Sequence, residues 1–229
     1  LFDPGWQVLK TVSFDKEYAE LKAQAFNAAE MIDRYDAVVA MREASLETKR
    51  DDLIAIFKKE AFHAVKAEVV AQLVNDGNAL SRELVKTALN DADHLVRRSA
   101  ITNVTDIPKK LLANYETLLS DQSYVNIEFA LKKLCEQYPK NQKRYLEMTK
   151  NEVGMNQNIR IARLEIAAQD NVSHIESLVD LTSNSYEFRT RTKAMVALDS
   201  LNYCDEHLVR NLFDALLNPN RRLYNPATR

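Results

Sequence analysis

The groups through which this 229-residue chain could do chemistry are 4 histidines, 2 cysteines and 33 Asp and Glu residues. A protein zinc site needs three or four His, Cys, Asp or Glu ligands at short, defined spacings. A metallopeptidase helix carrying HExxH places two imidazoles on one face. None of His63, His94, His174 and His207 has a second His or a Cys at such a spacing, and HExxH is absent. Cys135 and Cys204 stand outside any CxxC or CxxH context. They read as free thiols unless the fold brings them within bridging distance. There is no GxSxG, Walker loop or GxGxxG, and 3 glycines can hardly build a phosphate cradle. Choosing one carboxylate pair among so many acids for acid–base work would be arbitrary. The chain holds no recognisable active site.

The basic residues are more ordered. Arg34, Lys66, Arg97 and Arg191 each precede, by three positions, a small apolar residue inside a similar segment. Those segments are "DRYDAVVAM", "VKAEVVAQL", "VRRSAITNV" and "TRTKAMVAL", and "NIEFALKKL" and "NIRIARLEI" belong with them. Aligned on Ala37, Val69, Ala100, Ala130, Ala162 and Ala194, they recur at spacings of 32, 31, 30, 32 and 32 residues. Four positions after each anchor comes a further apolar residue: Met41, Leu73, Val104, Leu134, Ile166 and Leu198. Residues i and i+4 share a helical face, so each segment predicts a helix with a small residue at its point of closest packing. Ala227 continues the series as a seventh anchor.

A second set of segments lies between the first: "LIAIFKK", "ELVKTAL", "LLANYETLL", "RYLEM", "HIESLVDL" and "HLVRNLFDALL". Their apolar residues also recur at helical spacing. Pro108 is placed to open a helix, Asp91 or Asp93 to cap "HLVRRSA", and Ser173 with Glu176 to form a capping box. The repeating unit is therefore two helices and a turn. One unit cannot bury its apolar face alone, so stacked units share a continuous core. The Trp, Leu-Gly, Tyr pattern of tetratricopeptide repeats is missing, as is the Thr-Pro-Leu-His start of ankyrin repeats. "VRRSA" and "VKAEV" resemble the second helix of HEAT-type repeats in short form. The expected fold is all-α, a right-handed α-α superhelix of six to seven short helix pairs over residues 15–229, truncated in its last repeat.

Residues of equivalent position in stacked repeats fall in a row, so Arg34, Lys66, Arg97 and Arg191 could form a basic row along a concave face. Such a row could hold a peptide carboxylate or an acidic surface. It could equally pair with acids of neighbouring repeats, or lay its stems over the helices. Ile127 and Ile159 interrupt it in the fourth and fifth units. "IRIAR" and "EFRTRTKA" add local basic clusters, yet the net charge of −2 and pI near 6.2 offer no general pull toward nucleic acid or anionic lipid. No apolar run approaches the roughly 18–20 residues that span a bilayer.

The opening does not match the rest. From Trp6 through Val8 and Val12 to Phe14 the apolar residues alternate, broken by Lys10, behind the turn Asp3-Pro4-Gly5. That pattern predicts a half-buried strand from Trp6 to Phe14, so that residues 1–14 form a linker strand or the tail of a β-structure. "FDPGWQVLKTVSFDKEY" followed by "AFNAAEMIDRYDAVVAM" resembles the junction before the C-terminal domain of zinc aminopeptidases of the aminopeptidase N family. Arg34, Ala37 and Met41 match that family's early helical pattern, and "LFDALLNPNRRLYNPA" is similar to the last repeats of bacterial members. The resemblance implies that residues 1–14 are the tail of a preceding β-domain. It also implies that the helical array encloses the substrate cavity and limits peptide access. Zinc, HExxH and the catalytic residues would then lie in an upstream domain, and no catalytic or metal residue falls on this chain. The implied partners are the upstream catalytic and β-domains and the parent's peptide substrates, with no nucleic acid and no membrane. The parent would be bacterial, cytoplasmic or periplasmic. Two other readings compete: a HEAT-like scaffold with a protein or peptide in its groove, and a HEAT-like nucleic-acid enzyme.

Overall fold

Helix after helix, the repeat pattern turns into rows of packed helices within each unit. The computed structural model describes residues 17–169 and 171–228. The strand expected over residues 1–14 lies outside the described residues. Among the described residues there are 14 α-helices and no strand, and no helix is long and apolar enough to cross a membrane. The chain divides into two compact units, the first ending at Asn103 and the second beginning at Val104.

The first unit holds α1 (Tyr18–Asn27), α2 (Met31–Ala40), α3 (Leu46–Lys59), α4 (His63–Leu73), α5 (Ala79–Ala88) and α6 (His94–Asn103). Within it α2, α4 and α6 pack in one row and α1, α3 and α5 in another, with α3–α4 and α5–α6 forming hairpins between the rows. The second unit holds α7 (Leu112–Glu116), α8 (Tyr124–Gln137), α9 (Gln142–Met148), α10 (Asn158–Ala168), α11 (Ser173–Asp180), α12 (Phe188–Ser200), α13 (Glu206–Leu216) and α14 (Arg221–Ala227). There α8, α10, α12 and α14 form the continuous row, and α11 packs on both α10 and α12.

Every anchor sits on an even-numbered helix. Ala37, Val69, Ala100, Ala130, Ala162 and Ala194 are all at most 1% exposed, and their partners Met41, Leu73, Val104, Leu134, Ile166 and Leu198 are buried. A methyl at the contact point lets neighbouring backbones approach, and side-chain donors then reach across to carbonyls of the next helix in the row. Gln72 donates to Val38 O at 2.7 Å, and Ser99 Oγ to Ala67 O at 2.6 Å. In the second unit Asn158 donates to Tyr124 O at 3.1 Å and Thr192 Oγ1 to Arg222 O at 3.2 Å. The seventh anchor is displaced. Ala227 is only half-buried, and Leu223, one turn earlier, takes the buried position in α14.

Helix starts follow the sequence with one exception. Pro108 precedes the 3-10 turn Lys109–Leu111 that leads into α7, and Asp93 Oδ1 accepts the Leu95 N–H at 2.7 Å at the start of α6. The Ser173–Glu176 capping box does not form. Ser173 is already the first residue of α11, and Asn171 Oδ1 accepts its N–H at 3.0 Å. Gly154 precedes α10 with φ +76°, where an added Cβ would lie 2.0 Å from Asn158 Oδ1. A side chain there would meet both backbone strain and a clash with the residue that ties α10 to α8.

Close approach at the anchors predicts intolerance of bulk. Ala130→Leu should destabilise the protein by about 1–3 kcal/mol through overpacking. Glu136→Leu, on the exposed side of the same helix, should change stability little. Urea denaturation of the two variants checks this, and equal midpoints would contradict the packing role of Ala130.

Candidate functional site

The turn between the two helices of a repeat carries an acid, and a base from the preceding repeat reaches it. Glu60 follows α3, and its Oε1 accepts the N–H groups of Ala61 and Phe62, both at 2.9 Å. Arg34, on α2, forks onto the same carboxylate, with Nε to Oε2 at 2.7 Å and Nη2 to Oε1 at 3.1 Å. Its Nη1 also donates to the carbonyls of Ala28 and Ala29 at 3.0 and 2.9 Å. One repeat later Asp91 accepts the Asp93 N–H at 2.9 Å and pairs with Lys66 of α4. Arg97 of α6 repeats the second half of the Arg34 pattern, with Nη1 donating to Asp91 O at 2.7 Å and Ala92 O at 3.0 Å. The arginine thus holds the turn preceding its own helix, and its partner acid holds the next turn.

A second set of pairs has the carboxylates buried. Arg42 forks onto Glu68, with Nε at 2.6 Å, and Arg50 onto Asp76 at 2.6 and 2.8 Å. Ser81 donates a further 2.5 Å hydrogen bond to Asp76. Arg34 holds the Glu60 carboxyl below its ordinary range, and Arg50 does the same for Asp76, with the Ser81 hydroxyl assisting.

In the second unit the basic position is used differently. Arg191 is 3% exposed, and donates to Thr182 O at 2.8 Å, Asn211 O at 3.3 Å and Asp214 Oδ2 at 2.7 Å. Ile127 and Ile159, its equivalents in α8 and α10, are buried apolar residues. The position therefore faces inward in both units. Arg34, Lys66, Arg97 and Arg191 are all tied to groups of their own unit. Sequence reasoning missed their partners Glu60 and Asp91, although these two recur at the repeat period.

Two grooves open beside the first-unit pairs. The smaller, of about 320 Å³, lies between the ends of α1 and α3, with Phe26, Ile56 and Lys59 beside Arg34 and Glu60. The larger, of about 430 Å³, occupies the equivalent place between α3 and α5. Ile54, Phe57 and Leu84 give it an apolar floor, and Leu80, 57% exposed, stands at its edge. The Lys66 ammonium sits 4.7 Å from the Phe57 ring centroid while paired to Asp91, which places a half-buried ion pair against the floor. Such a groove can accept an apolar side chain with a polar group beside it. It offers binding surface and no nucleophile–base pair.

The histidines stand apart from this surface. His63 and His94 begin α4 and α6, and their Nδ1 atoms lie 3.7 and 3.9 Å from Asp93 oxygens. Among the described residues no three His, Cys, Asp or Glu side chains gather as a metal site. Cys135 is buried and Cys204 exposed, both free, and burial pushes the Cys135 thiol up to about 11. Comparison with protein-family models finds no match to this chain, and neither does comparison with curated proteins.

Two predictions follow from these environments. Depressed carboxyl pKa values mean that Glu60 and Asp76 contribute stability above about pH 4–5, lost as the pH falls through their folded-state values. Thermal melts of the double variant Glu60→Gln/Asp76→Asn should therefore show a lower midpoint at pH 7 and a shallower decline toward pH 3 than the parent. An unchanged slope would show that these ion pairs do not drive acid unfolding. For the thiols, a disulfide reagent should label Cys204 in the folded protein and Cys135 only after denaturation. Rapid labelling of both would contradict the burial of α8.

Proposed function

We propose that this chain is a noncatalytic helical-repeat domain. Its helix pairs belong to a right-handed α-α superhelix of short HEAT-like repeats. In the parent protein, a zinc aminopeptidase of the aminopeptidase N family, it encloses the substrate cavity and limits peptide access. One observation carries the reading: the six repeat anchors are buried on even-numbered helices that pack in continuous rows within each unit. Repeat arrays of this kind present extended surfaces and owe their stability to contacts between neighbours. The family assignment rests on the opening and closing segments and on Arg34, Ala37 and Met41. Zinc chemistry belongs to the upstream domain in this reading. The described residues offer no ligand cluster for the metal, so no step is assigned to them.

A second reading, a scaffold that holds a peptide or protein segment, draws on the α3–α5 groove. Its apolar floor, exposed Leu80 rim and internal Lys66–Asp91 pair suit an apolar side chain flanked by hydrogen-bonding groups.

The natural polypeptide upstream of Leu1 decides between them. The enclosing-domain reading expects HExxH with a downstream Glu ligand there. It also expects zinc-dependent release of N-terminal residues by the intact protein and none by this chain alone. An upstream region without those ligands would overturn it. Saturable binding of apolar peptides by this chain, abolished by Leu80→Asp, would then establish the scaffold.

A further inference from the structure

Of the two basic clusters in the second unit, one is consumed by the fold and the other is not. In "EFRTRTKA", Glu187 accepts the N–H groups of Arg189 and Thr190, Arg189 stacks 4.6 Å from the Phe188 ring centroid, and Lys193 bonds both oxygens of Glu128 at 2.8 Å. Arg191 is buried on Asp214 and two carbonyls. The arginines of "IRIAR" lack this provision. Arg163 Nη1 donates to Lys150 O at 2.9 Å, while its Nε is buried with no partner. Arg160 makes one long contact, 3.4 Å to Gln157 Oε1.

Both arginines line a cavity of about 360 Å³ among α9, α10 and α11, as do Lys143 of α9 and His174 of α11. Among the described residues the Lys143 side chain has no ion-pair partner. Among the described residues Glu147 is the one carboxylate lining the cavity, and it pairs with Lys150. Three permanent cations therefore face one carboxylate that is already engaged. Burial holds the Arg163 guanidinium below its ordinary pKa, with Glu147 opposing the shift. A partly buried guanidinium that makes no ion pair among the described residues can still donate through its terminal nitrogens to a tetrahedral or planar oxyanion. The remaining wall, Leu146, Leu164 and Ala167, is apolar. The volume falls near the lower end of small-molecule sites, about 300–1,000 Å³.

We propose that this cavity binds a small organic phosphate, its phosphoryl oxygens on Arg163, Arg160 and Lys143 and its apolar portion against Leu146, Leu164 and Ala167. Surplus positive charge favours a dianion over a monoanion, and the apolar wall favours an esterified phosphate over the free ion. The site is independent of the enclosing-domain and scaffold readings, because it uses none of the first-unit grooves.

Calorimetric titration of the full chain with phenyl phosphate, inorganic phosphate and benzoate, at constant ionic strength, tests the assignment. Phenyl phosphate should bind most tightly. Lys143→Gln and Arg160→Gln should each weaken it by about three- to tenfold, and Arg163→Gln should weaken it further. Lys143 is exposed and Arg160 half-buried, so their variants remain informative if Arg163→Gln fails to fold. Absence of phenyl phosphate binding, or binding that survives both of those changes, would overturn the proposal. Preference for benzoate would make this a carboxylate site instead. Displacement of phenyl phosphate by a lower concentration of single-stranded DNA would assign the surface to nucleic acid.

Discussion

Where two even-numbered helices of a row meet, a methyl group or the short side chain of Val69 fills the contact, and the backbones come close enough for side-chain donors to find carbonyls on the neighbouring helix. Gln72 and Ser99 do this in the first unit, Asn158 and Thr192 in the second. A larger side chain at the anchor would separate the helices and break these bonds together, so packing and polar satisfaction depend on one steric condition. The odd-numbered helices then have a fixed platform. Their turns fall where the acids Glu60 and Asp91 meet bases from the preceding repeat.

The charged groups express the same geometry. Isolated surface ion pairs contribute little, but those at the repeat junctions are shielded and shared with backbone groups. Glu60 caps two N–H groups while receiving Arg34, and Asp76 receives both Arg50 and Ser81. Each carboxylate is thereby satisfied from two directions, which fixes the spacing of successive hairpins as well as stabilising them. The grooves beside Glu60 and Asp91 lie between the ends of neighbouring odd-numbered helices, next to these bridges.

Among the described residues the buried polar side-chain atoms without partners are Gln72 Oε1 in the first unit and two on α10 in the second. Asn158 Oδ1 and Arg163 Nε are buried without partners on the same helix, which follows the turn containing Gly154 and the left-handed residues Asn156 and Gln157. That turn departs from the first-unit junctions before α4 and α6, where Glu60 and Asp91 accept backbone N–H groups. Arg160 and Arg163 make no ion pair among the described residues, and they line the cavity together with Lys143 and His174.

Helix content, the positions of the anchors and the capping role of Asp93 were legible in the chain, because each depends on residues within a few positions of one another. Periodicity at i and i+4 marks a buried face wherever the helix packs, and a period near 31 residues marks equivalent faces. The basic position was visible too, but its use was not. Identical spacing to the anchor gives Arg34 an acid in the next turn, buries Arg191 on Asp214, and leaves Ile127 and Ile159 in the core. Ala227 and Ser173 carried the right local signals, yet the packed position fell to Leu223 and the cap to Asn171. Local pattern fixes which residues can face inward, whereas the partner each one meets is set by the rotation and stacking of helices distant in sequence. For the same reason "IRIAR" and "EFRTRTKA" look alike as strings and differ in space: only the tertiary structure decides which cations are neutralised and which are left facing a cavity.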